Sequence, residues 1–180
     1  MKIIGISGKA GAGKDTLAQM LVLELYRYGE CRTIHFADVL KTAASKATGI
    51  PRSTFDTQEG KASEIKWLGM TVRELLQKFG TAIREGVDPD FWVKSLFNIY
   101  EDKDFIIIPD VRFPNEAKAI KDRGGILIRI ERDDAGAGNH ISETALDDYK
   151  EWDYVINNNK SLEELKKIGK NILGLKGILK

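Results

Sequence analysis

Residues 8–14 read Gly-Lys-Ala-Gly-Ala-Gly-Lys and satisfy the spacing G-x-x-x-x-G-K. Gly8, Gly11 and Gly13, with the small Ala10 and Ala12 among them, let successive backbone N–H groups turn inward around a polyphosphate that larger side chains would hold off. Lys14 then stands where its ammonium can reach the β- and γ-phosphates, over which negative charge shifts during phosphoryl transfer. The chemistry expected of this loop is ATP binding by Gly8, Ala10, Gly11, Ala12, Gly13, Lys14, Asp15 and Thr16. The position after the lysine is ordinarily Ser or Thr, whose hydroxyl ligates magnesium; here it is Asp15. A carboxylate there could hold Mg2+ directly or through water, or accept a proton, and the residues alone leave these roles open.

A second group follows the run Phe105-Ile106-Ile107-Ile108, which continues as Pro-Asp-Val-Arg-Phe-Pro-Asn-Glu-Ala over residues 109–117. Asp110 leaves the end of an apolar strand, where a carboxylate can hold magnesium or its waters. Arg112 is two residues further on, and its planar fork suits a phosphate bidentately. Lys14, Asp15, Asp110 and Arg112 are therefore the expected catalytic set, with Asp15 and Asp110 the candidates for the metal.

These residues need elements to hold them. Short β-branched runs alternate with helical patterns, as in βαβ units that build a parallel sheet. Strands are expected at 2–7, 32–36, 105–108, 125–130 and 153–156. Helices are expected at 16–28, from a cap at Asp38 to Thr48, at 71–79 and 90–100, from a cap at Asn115 to Arg123, and at 161–170 with Leu162, Leu165 and Ile168 inward. Residues 51–69 are polar without a clear period and read as a mobile loop. Strand–loop–helix at the phosphate loop, and ligand residues beyond strand carboxyl ends, fit an open α/β sheet.

Composition limits the alternatives. Apolar residues make up 42% of the 180 and charged residues 31%, ordinary for one globular domain. A net charge of +1 gives no global field toward nucleic acid or an acidic membrane, so any positive potential must be local. Cys31 is the only cysteine and reads as a buried thiol in a reducing cytoplasm. The sequence opens without a leader pattern, and no apolar run approaches the length of a membrane span. A cytoplasmic protein acting on small molecules, with no nucleic-acid or membrane partner and either monomeric or homodimeric, is the expectation.

With Gly-Lys-Ala-Gly-Ala-Gly-Lys-Asp-Thr at 8–16 and Asp-Val-Arg-Phe-Pro-Asn-Glu-Ala at 110–117, the chain resembles the bacteriophage-type deoxynucleoside monophosphate kinases. Phe-Ala-Asp-Val-Leu-Lys at 36–41 is similar to an element of that family, with Val39 where proline is more usual. Residues 73–81 with 90–94 resemble its acceptor-site helices, and His-Ile-Ser-Glu at 140–143 a short motif before a late helix. An Asp after the loop lysine is usual in that family.

The resemblance implies a P-loop NTPase three-layer sandwich: a five-stranded parallel sheet, helices on both faces, and a mostly helical substrate-binding insertion. It implies a core of residues 1–50 and 101–180, an insertion over about 51–100 and a lid loop over about 132–142. It implies transfer of the ATP γ-phosphate to a deoxynucleoside monophosphate with Mg2+. By motif position the acceptor contacts would be Asp38, Lys41, Arg73, Gln77, Gly80, Trp92, Asp110, Arg112 and Glu116. Side-chain chemistry adds that Arg73 could bind the acceptor phosphate, Gln77 a base edge, and Trp92 could form a flat wall. Arg84 could add positive charge on the acceptor side, and Arg132, before the Asp-Asp-Ala-Gly-Ala-Gly-Asn loop, on the ATP side. His140, without a paired carboxylate, reads as a loop residue rather than a general base. A P-loop kinase for another small acceptor, such as a dephospho-coenzyme A-like molecule, and a non-enzymatic ATP-dependent switch are the rival readings.

Overall fold

A computed structural model describes residues 1–100, 104–136 and 144–175. The chain divides into two compact units, Met1–His35 with Tyr100–Lys180, and Phe36–Ile99. The second unit thus begins ahead of the excursion expected from Pro51.

The first unit is built on five parallel strands: β1 (Lys2–Ser7), β2 (Cys31–Thr33), β5 (Phe105–Ile108), β6 (Ile126–Glu131) and β7 (Tyr154–Asn157). Their order is β2-β5-β1-β6-β7, so β1 is central and the phosphate loop leaves the middle of the sheet. Alternation along β1 separates the two faces. Ile4 and Ile6 point toward α1 (Lys14–Leu25) and α7 (Leu162–Leu175), where Leu17, Leu21, Leu25, Leu165 and Ile172 complete one apolar layer. Gly5 faces the other way, toward α6 (Pro114–Asp122). A Cβ on Gly5 would lie 2.7 Å from Ile120 Cδ1 and 2.9 Å from Leu127 Cδ2, so helix and sheet meet there without room for a methyl group. β5 is buried throughout, as its unbroken apolar run requires. Cys31 is buried, and desolvation pushes its thiol up to about 11, so it stays protonated.

Several boundaries differ from expectation for local reasons. β2 stops at Thr33 and α2 (Phe36–Thr48) starts at Phe36, so Asp38 lies in its first turn rather than capping it. α6 is entered through Phe113, with Pro114 at its first position, where a missing N–H costs nothing. Asn115 is therefore inside the helix and not its cap. Leu162 is 65% exposed: α7 turns Leu165, Ile172 and Leu173 inward, and its first residue points away.

In the second unit, residues 51–69 are ordered rather than a bare loop. A 3-10 turn at Arg52–Phe55, the short α3 (Gln58–Ala62) and an antiparallel pair, β3 (Glu64–Ile65) with β4 (Met70–Thr71), occupy it. Phe55 and Ile65 enter a small core with Ala44 and Val72, against which Leu75, Leu76 and Phe79 pack. Burying each large apolar side chain stabilises by about 1.5–3 kcal/mol, enough to order such short pieces. α4 (Val72–Gly86) opens on a capping box: the Glu74 N–H donates to Thr71 Oγ1 at 3.2 Å, and the Thr71 N–H donates to Glu74 Oε2 at 2.7 Å. α5 (Phe91–Ile99) completes the unit, with Phe97 edge-on to Phe36 of α2.

Candidate active site

The phosphate loop is shaped by its glycines in two separate ways. A Cβ on Gly8 would lie 2.3 Å from the Ile130 carbonyl oxygen, so only glycine lets the loop run this close to β6. Gly13 sits at the N-cap of α1 with φ 103°, a left-handed conformation that side chains strain. Gly13 brings no side chain to cap α1, and the N-terminus of such a helix favours an anion. Lys14 Nζ donates to the carbonyl oxygens of Gly8 at 2.6 Å and Lys9 at 2.8 Å, which spans the ammonium across the loop mouth. Ala12 is fully buried, and Ala10 forms an isolated antiparallel bridge with Gly136. Gly11 and Asp15 are exposed, and Thr16 is half-buried. Asp15 lies in the first turn of α1, where the helix dipole favours a carboxylate whether or not it meets a metal.

The segment after β5 is tied to the same edge. The Val111 N–H donates to the Ile6 carbonyl at 3.2 Å, which carries the pairing with β1 past the strand end. Asp110 and Arg112 are half-buried there. Glu116 is 3% exposed, and its Oε2 accepts from the N–H of Arg112 at 2.7 Å and of Phe113 at 3.0 Å. Its carboxylate thereby fixes the backbone that carries Arg112. A pocket lined by Ser7, Gly8, Lys9, Arg112 and Arg129 brings the start of the phosphate loop together with the arginine expected to bind phosphate.

Three residues at this edge escaped the sequence reading. Arg129 on β6 is a charged residue flanked by the apolar Ile128 and Ile130; that interruption was the available signal. Asp147 receives Lys9 Nζ at 2.6 Å and Arg129 NH2 at 3.2 Å, a pairing over 138 residues for which no local pattern exists. Asn158 follows β7 and donates from Nδ2 to the Ala12 carbonyl at 2.8 Å, while its N–H donates to Glu131 at 2.7 Å. Arg132 is exposed just beyond β6, and its carbonyl accepts the Ala135 N–H at 3.0 Å. The rest of the expected lid, with the His140–Glu143 motif, lies outside the described residues.

The acceptor candidates on the second unit form a separate group. Asp38 accepts from Arg52 NH2 at 2.8 Å and lies 3.8 Å from Lys41 Nζ. Asp56 accepts from Arg52 NH1 at 2.6 Å and Lys41 Nζ at 3.0 Å. The Arg52 guanidinium, helped by Lys41, holds Asp56 down at about 2. Arg52 and Asp56 were thus part of the constellation but stood in the segment read as loop. Arg73 is exposed and donates to Gln58 Oε1 at 2.8 Å; Gln77 and Arg84 are half-buried on α4. Trp92, expected as a wall, is 3% exposed. Its Nε1 donates to the Gly80 carbonyl at 3.1 Å, and its ring meets Phe79 and Phe91 edge-on. Trp92 is a core residue of this unit because α4 and α5 close over it, and Gly80 is buried with it.

Among the described residues no group of three or more His, Cys, Asp or Glu side chains could hold a metal alone. The donor set fits an ion bound by one or two carboxylates, with water and phosphate oxygens completing its shell, as magnesium is usually held. No helix among the described residues is long and apolar enough to cross a membrane.

A sequence profile described as deoxynucleotide monophosphate kinase matches residues 26–168. This chain belongs to that family. The matched span begins after the phosphate loop, so the loop and the match are separate observations. A protein of Acanthamoeba polyphaga mimivirus, named "Putative deoxynucleotide monophosphate kinase", is 34% identical over 181 residues, covering 91% of this chain and 92% of the relative. The deoxynucleotide monophosphate kinase of Enterobacteria phage T4 is 36% identical over 110 residues, covering 57% of this chain and 45% of the relative. Shikimate kinase from Bacteroides thetaiotaomicron shares the fold at 16% identity, with a TM-score of 0.51, covering 97% of this chain and 99% of that one. In this deoxynucleotide monophosphate kinase family member, the parallel sheet and its loop are those of a P-loop NTPase.

Proposed function

We propose that this chain transfers the γ-phosphoryl group of ATP to a deoxynucleoside monophosphate, giving ADP and the deoxynucleoside diphosphate. The observation that carries the reading is that Gly8 of the phosphate loop and Arg112 of the post-β5 segment lie at the same edge of the sheet, in a chain of the deoxynucleotide monophosphate kinase family.

ATP lies along Gly8–Thr16, with its phosphates facing the loop amides and the first turn of α1. Lys14 exchanges its carbonyl partners for the β- and γ-phosphates, where its charge offsets the negative charge that moves during transfer. Asp15 and Asp110 would hold magnesium, directly or through water; the ion would neutralise phosphate charge. The acceptor phosphate is anionic near neutral pH, so transfer rests on in-line positioning and charge neutralisation rather than on a strong base. Arg112 presents its guanidinium to phosphate, with its backbone pinned by Glu116. Asp38, Lys41, Arg73, Gln77, Gly80 and Arg84 supply acceptor contacts in this reading, Trp92 supports them from the core, and Arg132 contacts ATP.

The test is incubation with ATP, Mg2+ and each deoxynucleoside monophosphate in turn, with separation of the nucleotide products. ADP together with a diphosphate product, dependent on the acceptor, supports the proposal and reveals the base range. If no deoxynucleotide accepts phosphate while ATP still binds, the acceptor assignment falls and another small-molecule kinase or a nucleotide switch takes its place.

A further inference from the structure

Lys9 lies within the phosphate loop, yet its ammonium is turned onto Asp147, 2.6 Å away. Asp147 in turn accepts from Arg129 NH2 at 3.2 Å. Arg129 is firmly held: its side chain is only 12% exposed, NH1 donates to the Leu146 carbonyl at 3.3 Å, Nε lies 3.5 Å from Glu131, and the guanidinium lies 5.7 Å from the Trp152 ring centre. Lys9 and Asp147 are more open, at 25% and 42%. The pair therefore joins a partly exposed cation to a carboxylate that a well-buried arginine also holds. Lys9 and Arg129 also line the pocket that holds Gly8 and Arg112.

We propose that Lys9 and Asp147 form an exchangeable latch on the phosphate loop: a phosphate group entering the pocket takes the Lys9 ammonium from Asp147. Arg129 makes the exchange cheap, since Asp147 keeps a cationic partner after Lys9 leaves. Lys9 is then a phosphate-binding residue, and Asp147 is a positioning residue that sets how readily Lys9 is given up. An exposed pair is weak, so the carboxylate holds ligand affinity down only a few-fold. The ligand is a nucleotide phosphate, either the ATP terminus or the acceptor monophosphate. Only that identity rests on the kinase reading.

The experiment is calorimetric titration of ATP without acceptor, and of a deoxynucleoside monophosphate without ATP. Wild type, Asp147→Asn, Lys9→Met and the double variant are compared. Asp147→Asn is expected to tighten one of the two ligands roughly two- to fivefold. The same substitution in the Lys9→Met background is expected to change nothing. Whichever ligand tightens identifies the phosphate that Lys9 takes. Unchanged or weaker binding of both in Asp147→Asn overturns the latch, as does tightening that persists without Lys9. Asp147→Ser removes the same charge should the amide disturb folding, and thermal unfolding reports whether each variant is native. Binding is read without turnover, so failure of the latch and failure of the transfer reaction are separate results.

Discussion

Glu116→Ala removes one buried carboxylate oxygen that serves two backbone donors, the N–H groups of Arg112 and Phe113. Each amide left without an acceptor costs about 1–3 kcal/mol when buried. Both residues are half-buried, so water reaches part of the gap and the lower end applies, about 1 kcal/mol each. Loss of a negative charge in the first turn of α6 adds about 0.3–1 kcal/mol. The sum is about 2–4 kcal/mol, with the remainder from the cavity left by the side chain. For a chain of this size that lowers the melting temperature by roughly 5–15 °C, readable by calorimetry. Glu116→Gln keeps an oxygen acceptor and loses only charge assistance, so its cost should be about 1 kcal/mol. Turnover should fall in both variants, by about tenfold or more in the alanine variant, because the backbone of Arg112 is no longer fixed. A melting temperature for Glu116→Ala within about 1 °C of wild type, with normal turnover, would refute the role given to this carboxylate.

Three further outcomes are expected. Lys14→Ala should depress turnover by about 10²–10³-fold while shifting stability by only about 1 kcal/mol, since its ammonium donates to the loop carbonyls of Gly8 and Lys9 rather than packing in the core; normal steady-state kinetics would sink the assignment. Gly8→Ala should destabilise by at least about 2 kcal/mol and abolish ATP binding, because its Cβ meets the Ile130 carbonyl at 2.3 Å; a melt and a nucleotide titration like wild type would contradict the close approach. Asp56, depressed to about 2 from an ordinary value of 3.8, contributes stability that is complete above about pH 4 and lost as pH falls toward 2. Subtracting the acid unfolding profile of Asp56→Asn from that of wild type should isolate a difference confined to that window, and identical profiles would remove Asp56 from the account.

What the sequence made legible follows from how local each signal is. β1 and β5 are bounded correctly because each apolar run ends in its own punctuation, Gly8 after one and Pro109 after the other. The phosphate loop was readable for the same reason: its chemistry is contiguous. Residues 51–69 were misread because their elements are one turn or two residues long, too short to establish a period; the usable cues were the Thr57 cap, whose Oγ1 accepts from Gly60, and the apolar Phe55 and Ile65. Leu162 was assigned inward from spacing alone, while Leu165, Ile172 and Leu173 set the buried stripe of α7. Lys9, Asp147 and Asn158 act through partners more than a hundred positions away, and only the sheet order brings them together. Trp92 had the residue type of a ligand wall, but aromatic type does not distinguish a wall from a core, and the packing of α4 against α5 decided it.

The hydrogen bond from Asn158 to Ala12 spans 146 positions, joining the loop near the beginning of the chain to the residue just past the last strand. During synthesis the loop sequence emerges well before β7, yet its clasp is made only after β7 has been translated and added to the sheet edge. A nascent chain therefore carries the phosphate-loop sequence long before it carries the contact that holds the Ala12 carbonyl. A chain cut short before residue 158 lacks that clasp, and its loop must hold the Ala12 carbonyl without it.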